Sequence, residues 1–197
     1  MSKKRRHRYK HRFRIVYKDC ARGVHGRISV VKRKSDGKLL IWKRPRSHNH
    51  RHQTSFQQEI KKSKLWRKFG VSKVRACWHP DNKSLIKTYI KGPTLKQMLR
   101  NGNLRFSKSD SKPVKALGEF IKLLIDSRHY IQDVNRQNLV FDGEKWHIID
   151  SSGIQPKAAY SVVRQKYKQA FVRSWSKSLH SNDELYSFGS FLEKYCH

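Results

Sequence analysis

The sequence predicts an α+β chain in two parts, strands dominating the first and helices the second. Three observations carry this expectation. The first half holds runs such as "FRIVYKD", "GRISVVKRK" and "KLLIWKR", rich in β-branched and aromatic residues and parted by Gly-bearing turns. The stretch "SKPVKALGEFIKLLIDSRH" instead spaces Val114, Leu117, Ile121, Leu124 and Ile125 as one helical face. Between the two, "YIKGP" ends a strand on Gly92-Pro93, which places a hinge near Tyr89–Gly92.

Taken in order, strands are expected over 13–19, 26–34 and 38–44, with "SDG" turning the last two into a hairpin. A helix over 54–69 follows, with Thr54 as N-cap, Gly70 as C-cap and Phe56, Ile60 and Leu65 on its apolar face. Two further strands near 73–79 and 84–90 flank the turn "HPDNK", completing a five-stranded first part. Pro93 suits the start of a short helix and Gly102 its end. After the long amphipathic helix comes a hairpin, "NLVF", "DGEK", "WHIID", and then two helices near 157–177 and 181–195.

Charge narrows the partners. The chain carries 46 Lys and Arg against 14 Asp and Glu, a formal net charge of +32. Such a field favours anions: nucleic acid, an acidic membrane face, phosphorylated sugars or polyphosphates. The opening "MSKKRRHRYKHRFR" is basic and free of acids, so residues 1–12 read either as a solvated arm or as an electrostatic anchor. It lacks the apolar stretch of a secretory signal, and no later run is long enough to span a membrane. Cys20, Cys77 and Cys196 lack metal-site spacing and fit a reducing cytoplasm better than a disulfide framework. His48, His50 and His52 would share one face of an extended segment, as metal ligands or as part of a basic loop.

Four features carry chemistry. Gly23 and Gly26 sit in a turn between strands, where the absence of Cβ atoms lets backbone amides approach phosphate, although hairpins use glycine anyway. Lys43 ends an apolar strand and can present an ammonium to phosphates; on so basic a chain a chance lysine is the plain alternative. Glu59 is the only acid of its helix, either a surface charge or the ion-pair partner of Lys43. Asp133, Asn138 and Asp150 gather two acids and an amide around one small hairpin, an arrangement suited to a metal ion.

Together these resemble the protein-kinase-like superfamily over roughly residues 13 to 153. Gly23-Val-His-Gly26-Arg-Ile28 follows its G-x-x-G-x-V loop with Ile for Val, and Lys43 follows Gly23 by twenty residues. Asp133 and Asn138 match D-x-x-x-x-N, and Asp150 matches the metal-binding Asp of the next strand. The resemblance implies one two-lobed kinase-like domain, with an N-lobe over 13–91 and a truncated helical C-lobe over 92–197. It implies ATP and Mg²⁺ as cofactors, with Gly23, Gly26, Lys43, Tyr89 and Lys91 binding nucleotide, Asn138 and Asp150 binding metal, and Asp133, Lys43 and Glu59 catalytic.

Departures from the family pattern shape the expected substrate. Ala21 replaces the first loop Gly, Ile131 stands where a His is usual with His129 nearby, and "DSSG" puts Gly153 one place late. Only 44 residues follow Gly153, without an A-P-E segment. Asn135 stands two after Asp133, where protein kinases commonly have Lys; Arg136, or Arg164, Lys166 and Lys168, would supply the missing charge. Small atypical kinases share such departures: Kdo and heptose kinases of the lipopolysaccharide core, and RIO and Bud-type kinases. "DVNRQNLV" is most similar to the Kdo group. The first reading is therefore phosphate transfer to an anionic lipopolysaccharide core sugar, by a cytoplasmic protein peripheral to the inner membrane. The alternatives are an atypical protein Ser/Thr kinase of the kind found among bacterial effectors, acting on an acidic protein, and a kinase-like nucleic-acid or ribosome binder.

Overall fold

The computed structural model describes residues 12–23, 26–45, 50–81, 83–131, 134–150, 157–179 and 181–196. The chain forms two compact units. One comprises the described residues up to Leu65 together with Val74–Tyr89; the other comprises Trp66–Lys73 and the described residues from Ile90 onward. The boundary thus falls after Tyr89, two residues before the expected one, and the segment 66–73 goes with the second unit.

The first unit is a five-stranded antiparallel sheet and most of one helix. Its elements are β1 (Phe13–Gly23), β2 (Gly26–Arg33), β3 (Leu39–Arg44), α1 (His50–Lys68), β4 (Ala76–Trp78) and β5 (Leu85–Thr88). The strand order is β1-β2-β3-β5-β4. β1 runs four residues past its expected end, with irregular pairing between Ile15 and Tyr17 and between Tyr17 and Ala21. Gly37 closes the β2–β3 hairpin at φ +69°, and the Gly37 amide donates to the Arg33 carbonyl at 2.8 Å. Gly26 is required by packing, because a Cβ there would lie 2.5 Å from the Arg44 carbonyl oxygen.

α1 begins at His50, so Thr54 lies inside the helix and is not its cap. His50 and His52 belong to the helix and not to an extended segment. His48 lies outside the described residues. Phe56, fully buried, joins Ala76 and Leu85, with Ile60 and Trp78 packed against them. Ser63 joins helix to sheet by donating to the Ile60 carbonyl (2.9 Å) and accepting from the Ala76 amide (3.2 Å).

The second unit contains α2 (Leu95–Arg100), α3 (Lys112–Asp126), the hairpin β6 (Leu139–Phe141) and β7 (Trp146–Ile148), α4 (Tyr160–Trp175) and α5 (Asn182–Tyr195). The end of α1 enters it through Gly70 at φ +71°. Val71 N–H donates to the Trp66 carbonyl at 2.9 Å and Gly70 N–H to the Arg67 carbonyl at 3.2 Å, the paired bonds of a Schellman stop. Ser72 then donates to the Ile148 carbonyl at 2.9 Å, fastening this segment to β7. A capping box starts α2: Gln97 N–H donates to Thr94 Oγ1 (3.2 Å), and Thr94 N–H donates to Gln97 Oε1 (2.8 Å).

All five residues read as the apolar face of α3 are buried. They join a core completed by Val163, Tyr167, Phe171 and Trp175 of α4 and Phe188, Phe191 and Leu192 of α5. Trp146 of β7 donates its indole N–H to the Pro113 carbonyl at 2.9 Å, tying the hairpin to the first turn of α3.

Gly92 is the tightest point of this unit. Its φ is +150°, and a Cβ would fall 1.9 Å from the Phe141 carbonyl oxygen. Because the obstacle is backbone, no side-chain movement relieves it. Gly92→Ala is expected to lower unfolding free energy by about 1–3 kcal/mol, the range for a residue held in a disfavoured conformation. Urea unfolding checks this; an unchanged midpoint would mean that the strand end at β6 yields easily.

Candidate functional site

Lys43, Glu59 and a residue the sequence reading passed over, Lys87, form one buried cluster. Sheet geometry explains the two lysines. Ile41 of β3 pairs with Lys87 of β5, and Lys43 pairs with Leu85. Residues opposite one another share a face, as do residues two apart, so Lys43 and Lys87 are diagonal neighbours on the same side. Glu59 of α1 lies against that side. Lys43 Nζ is 2.9 Å from Glu59 Oε2, and Lys87 Nζ pairs with Glu59 Oε1. The three residues are only 5%, 7% and 7% exposed for Lys43, Glu59 and Lys87. The Lys43 ammonium also lies 5.8 Å from the centre of the Phe56 ring.

The electrostatics follow from this geometry. Burial alone would raise the Glu59 carboxyl, but Lys87 and Lys43 outweigh it, and the group is held below its ordinary range. A cue to Lys87 existed in the sequence: it stands two residues after Leu85, on the same side of a strand whose Leu85 faces the core.

Asn138 and Asp150 are brought together by the β6–β7 hairpin. Leu139 pairs with Ile148, and the Ile149 amide donates to the Asn138 carbonyl at 2.8 Å. Asn138 therefore lies across from Ile149, with Asp150 the next residue; both are half-buried. Amide and carboxylate oxygens are hard donors of the kind Mg²⁺ takes alongside waters and phosphate oxygens. Among the described residues, no three of His, Cys, Asp and Glu gather as a closed metal site.

Asp133 and Gly153 lie outside the described residues, but both sides of the Asp133 loop are anchored by α4. The Tyr167 hydroxyl donates to the His129 carbonyl at 2.9 Å and accepts from the Ile131 amide at 3.3 Å. Burial pushes that phenol well above its ordinary range, so it stays a donor. Beyond the loop, the Trp175 indole donates to the Val134 carbonyl at 3.2 Å. Ile131 is fully buried in the core.

The cations expected near this loop have different surroundings. Lys168 pairs with Glu193, Arg164 stacks on Tyr160 and Lys166 on Tyr130. Arg136 instead shares a cavity of about 360 Å³ with Arg173 and Lys177, beside Val134, Asn135, Ala170 and Ser174.

A second node, unforeseen in sequence, fixes the hairpin turn. Asp142 accepts from Lys73, from His147 (2.9 Å) and from the amides of Glu144 (3.0 Å) and Lys145 (2.8 Å). Burial would raise its carboxyl, but these donors hold it well below the ordinary range. His147 is lowered, chiefly by burial, with Asp142 opposing.

The other residues expected to bind nucleotide are placed as follows. Gly23 pairs with Gly26 across the β1–β2 turn, whose Val24 and His25 lie outside the described residues. Tyr89 is half-buried and closes the first unit after β5; Lys91 is exposed and belongs to the second. Compared with known proteins, the chain matches no family model and no curated protein.

Removing Glu59 takes a carboxylate away from two buried ammonium groups, whereas removing Lys43 leaves Glu59 paired with Lys87. Glu59→Ala is therefore expected to cost about 3–5 kcal/mol, and Lys43→Met clearly less. Because the folded carboxyl lies below its ordinary 4.5, its stabilisation is complete above that pH and is lost as pH falls through the lowered value. The stability gap between wild type and Glu59→Gln should accordingly stay constant from pH 7 to pH 5 and shrink in stronger acid. Denaturant titrations across that range check it; a gap independent of pH down to pH 2 would refute the assignment.

Proposed function

We propose that the chain is an ATP-dependent phosphotransferase acting on a hydroxyl of an anionic acceptor, with a lipopolysaccharide core sugar as the substrate class. The observation that carries the proposal is the buried ion pair of Lys43 and Glu59. Bringing a strand lysine and a helix carboxylate out of water is costly, and an apolar pair would fold as well. A fixed ammonium, by contrast, is what a nucleotide phosphate needs.

In this reading each residue does one task. Glu59 holds Lys43 so that its ammonium stays oriented toward the α- and β-phosphates. Gly23 and Gly26 let their backbone amides approach phosphate without a Cβ in the way, and the backbone at Tyr89 and Lys91 offers hydrogen bonds for adenine. Asn138 and Asp150 supply hard oxygens for Mg²⁺. Bound ATP and Mg²⁺ provide an activated γ-phosphoryl group with its charge partly neutralised. Asp133 accepts the proton of the acceptor hydroxyl. The +32 net charge supports an anionic acceptor and contact with an anionic membrane face. No helix among the described residues is long and apolar enough to cross a membrane.

The charge also favours a second reading, a nucleic-acid binder that keeps a kinase-like shape. Such a protein has no use for a buried Lys-Glu-Lys cluster, which is why it ranks second.

Labelled ATP with Mg²⁺, offered lipopolysaccharide, an acidic protein or RNA, separates these readings. Transfer to lipopolysaccharide is expected, with Lys43→Met and Asp150→Ala each lowering it by about 100-fold or more. Wild-type turnover in Asp150→Ala would overturn the proposal. Transfer to protein alone would move the substrate class, and salt-sensitive RNA binding without any transfer would favour the binder.

A further inference from the structure

We propose that the cavity lined by Arg136, Arg173 and Lys177 binds a phosphomonoester carried by the acceptor itself, as on a phosphorylated sugar. The proposal deepens the phosphotransferase reading and rests on it for its meaning, though its first test needs neither ATP nor turnover.

The cavity lies wholly within the second unit and is built from two pieces of chain. Val134, Asn135 and Arg136 come from the loop, and Ala170, Arg173, Ser174 and Lys177 from α4 and the turn that ends it. Arg173 and Lys177 are four apart, so they rise from one side of the helix end. Ala170, one turn earlier, is small and leaves room between them. No carboxylate lines the cavity, and among the described residues none pairs with Arg136, Arg173 or Lys177. Among the described residues, three cations therefore line one space without a counter-charge.

Arg136 gives the clearest indication of a ligand. Its Nη1 is buried and lacks a hydrogen-bond partner. A buried guanidinium N–H left unpaired is unfavourable, and an anionic oxygen satisfies it best. Two guanidinium groups with an ammonium match the tetrahedral oxygens and double charge of a phosphomonoester better than the single charge of a carboxylate. The Ser174 hydroxyl adds a neutral donor.

The loop is already set for binding. Asn135 Oδ1 accepts from the Gln137 amide at 3.0 Å, the Asn135 carbonyl from the Asn138 amide at 2.8 Å, and the Arg136 carbonyl from the Lys96 amide at 3.1 Å. Little ordering is left to be done when an anion arrives. The volume, about 360 Å³, is at the lower end for small-molecule sites and suits one sugar phosphate. A concave site of that size takes a terminal phosphate, whereas the diester backbone of RNA would run along an open groove.

Position connects the cavity to transfer. Arg136 is three residues after Asp133, and three residues of chain span no more than about 11 Å. An acceptor held by its own phosphate would thus keep a hydroxyl within reach of Asp133. The cavity also supplies, from Arg136 and a different part of α4, the cation missing at Asn135.

The experiment is a calorimetric titration of the full chain, without ATP or Mg²⁺, using glucose 6-phosphate, inorganic phosphate, dimethyl phosphate and a short RNA. Glucose 6-phosphate and inorganic phosphate are expected to bind, and dimethyl phosphate to bind much more weakly. Arg136→Gln and Arg173→Gln should each weaken monoester binding by roughly tenfold or more. Lys122→Gln, an equal loss of charge at an exposed position of α3, should leave it unchanged. Arg173 is exposed, so its variant keeps the test valid even if Arg136→Gln fails to fold. Equal losses in all three variants, no loss in either arginine variant, or RNA and dimethyl phosphate binding as tightly as the monoesters would overturn the proposal. Monoester binding without any ATP-dependent transfer would instead leave the cavity standing and defeat the phosphotransferase reading.

Discussion

Glu59 is one carboxylate holding two buried ammonium groups, and the first unit is arranged around that requirement. Lys43 and Lys87 share one side of the sheet because β3 and β5 pair antiparallel in a register that makes them diagonal neighbours. Two like charges so placed repel unless an anion lies between them. α1 offers one in Glu59, the sole acid of that helix. The helix must therefore pack with Glu59 inward, and Phe56, one turn earlier, is carried into the apolar contact with Ala76 and Leu85. An apolar trio would satisfy the same packing without any desolvation cost. Three ionised groups at that position are hard to explain by stability alone.

The second unit solves a different problem with aromatic side chains. A loop holding Asp133 cannot rely on regular hydrogen bonding, so its backbone groups need partners from elsewhere. Tyr167 and Trp175 serve both needs, burying large ring surface in the core while their polar tips hold the loop on either side. The same helix then ends in Arg173 and, one turn on, Lys177, at the cavity. Core packing, loop anchoring and charge placement thus come from successive positions along α4, which is why a small helical half can still support a site.

What could be read in advance divides by the range of the interaction that fixes it. α3 was evident because its apolar spacing is a local property, and Gly70 because a helix stop is decided within a turn. The Lys43–Glu59 pair was reachable only through the spacing of a resembling family, and the structure then shows the contact itself. Thr54 misled because a good capping residue says where a helix can start, not where it must; the chain is helical from His50 without that cap. That Lys87 meets the same carboxylate as Lys43 depends on the β3–β5 register, which no local window contains. The cations beside Asn135 needed to be sorted by what else they touch: Lys168 is taken by Glu193 and Arg164 by Tyr160, whereas Arg173 and Lys177 remain for the cavity.

The acids of this chain are few, and most of those described act over short distances. Asp36 is held by Arg33, Glu119 by Lys122, Glu144 by Lys112 and Glu193 by Lys168, while Asp81 and Asp142 organise turns. Exposed pairs of this kind contribute little to stability and do almost nothing to the field at a distance. With 14 acids against 46 basic residues, the surplus positive charge is left for partners to neutralise. Compactness then works against self-repulsion, and anything anionic that binds the folded chain relieves it. The buried cluster at Glu59 and the cavity at Arg136 are the two places where that general demand is given a shape, one by a carboxylate within the fold and the other by an opening to solvent.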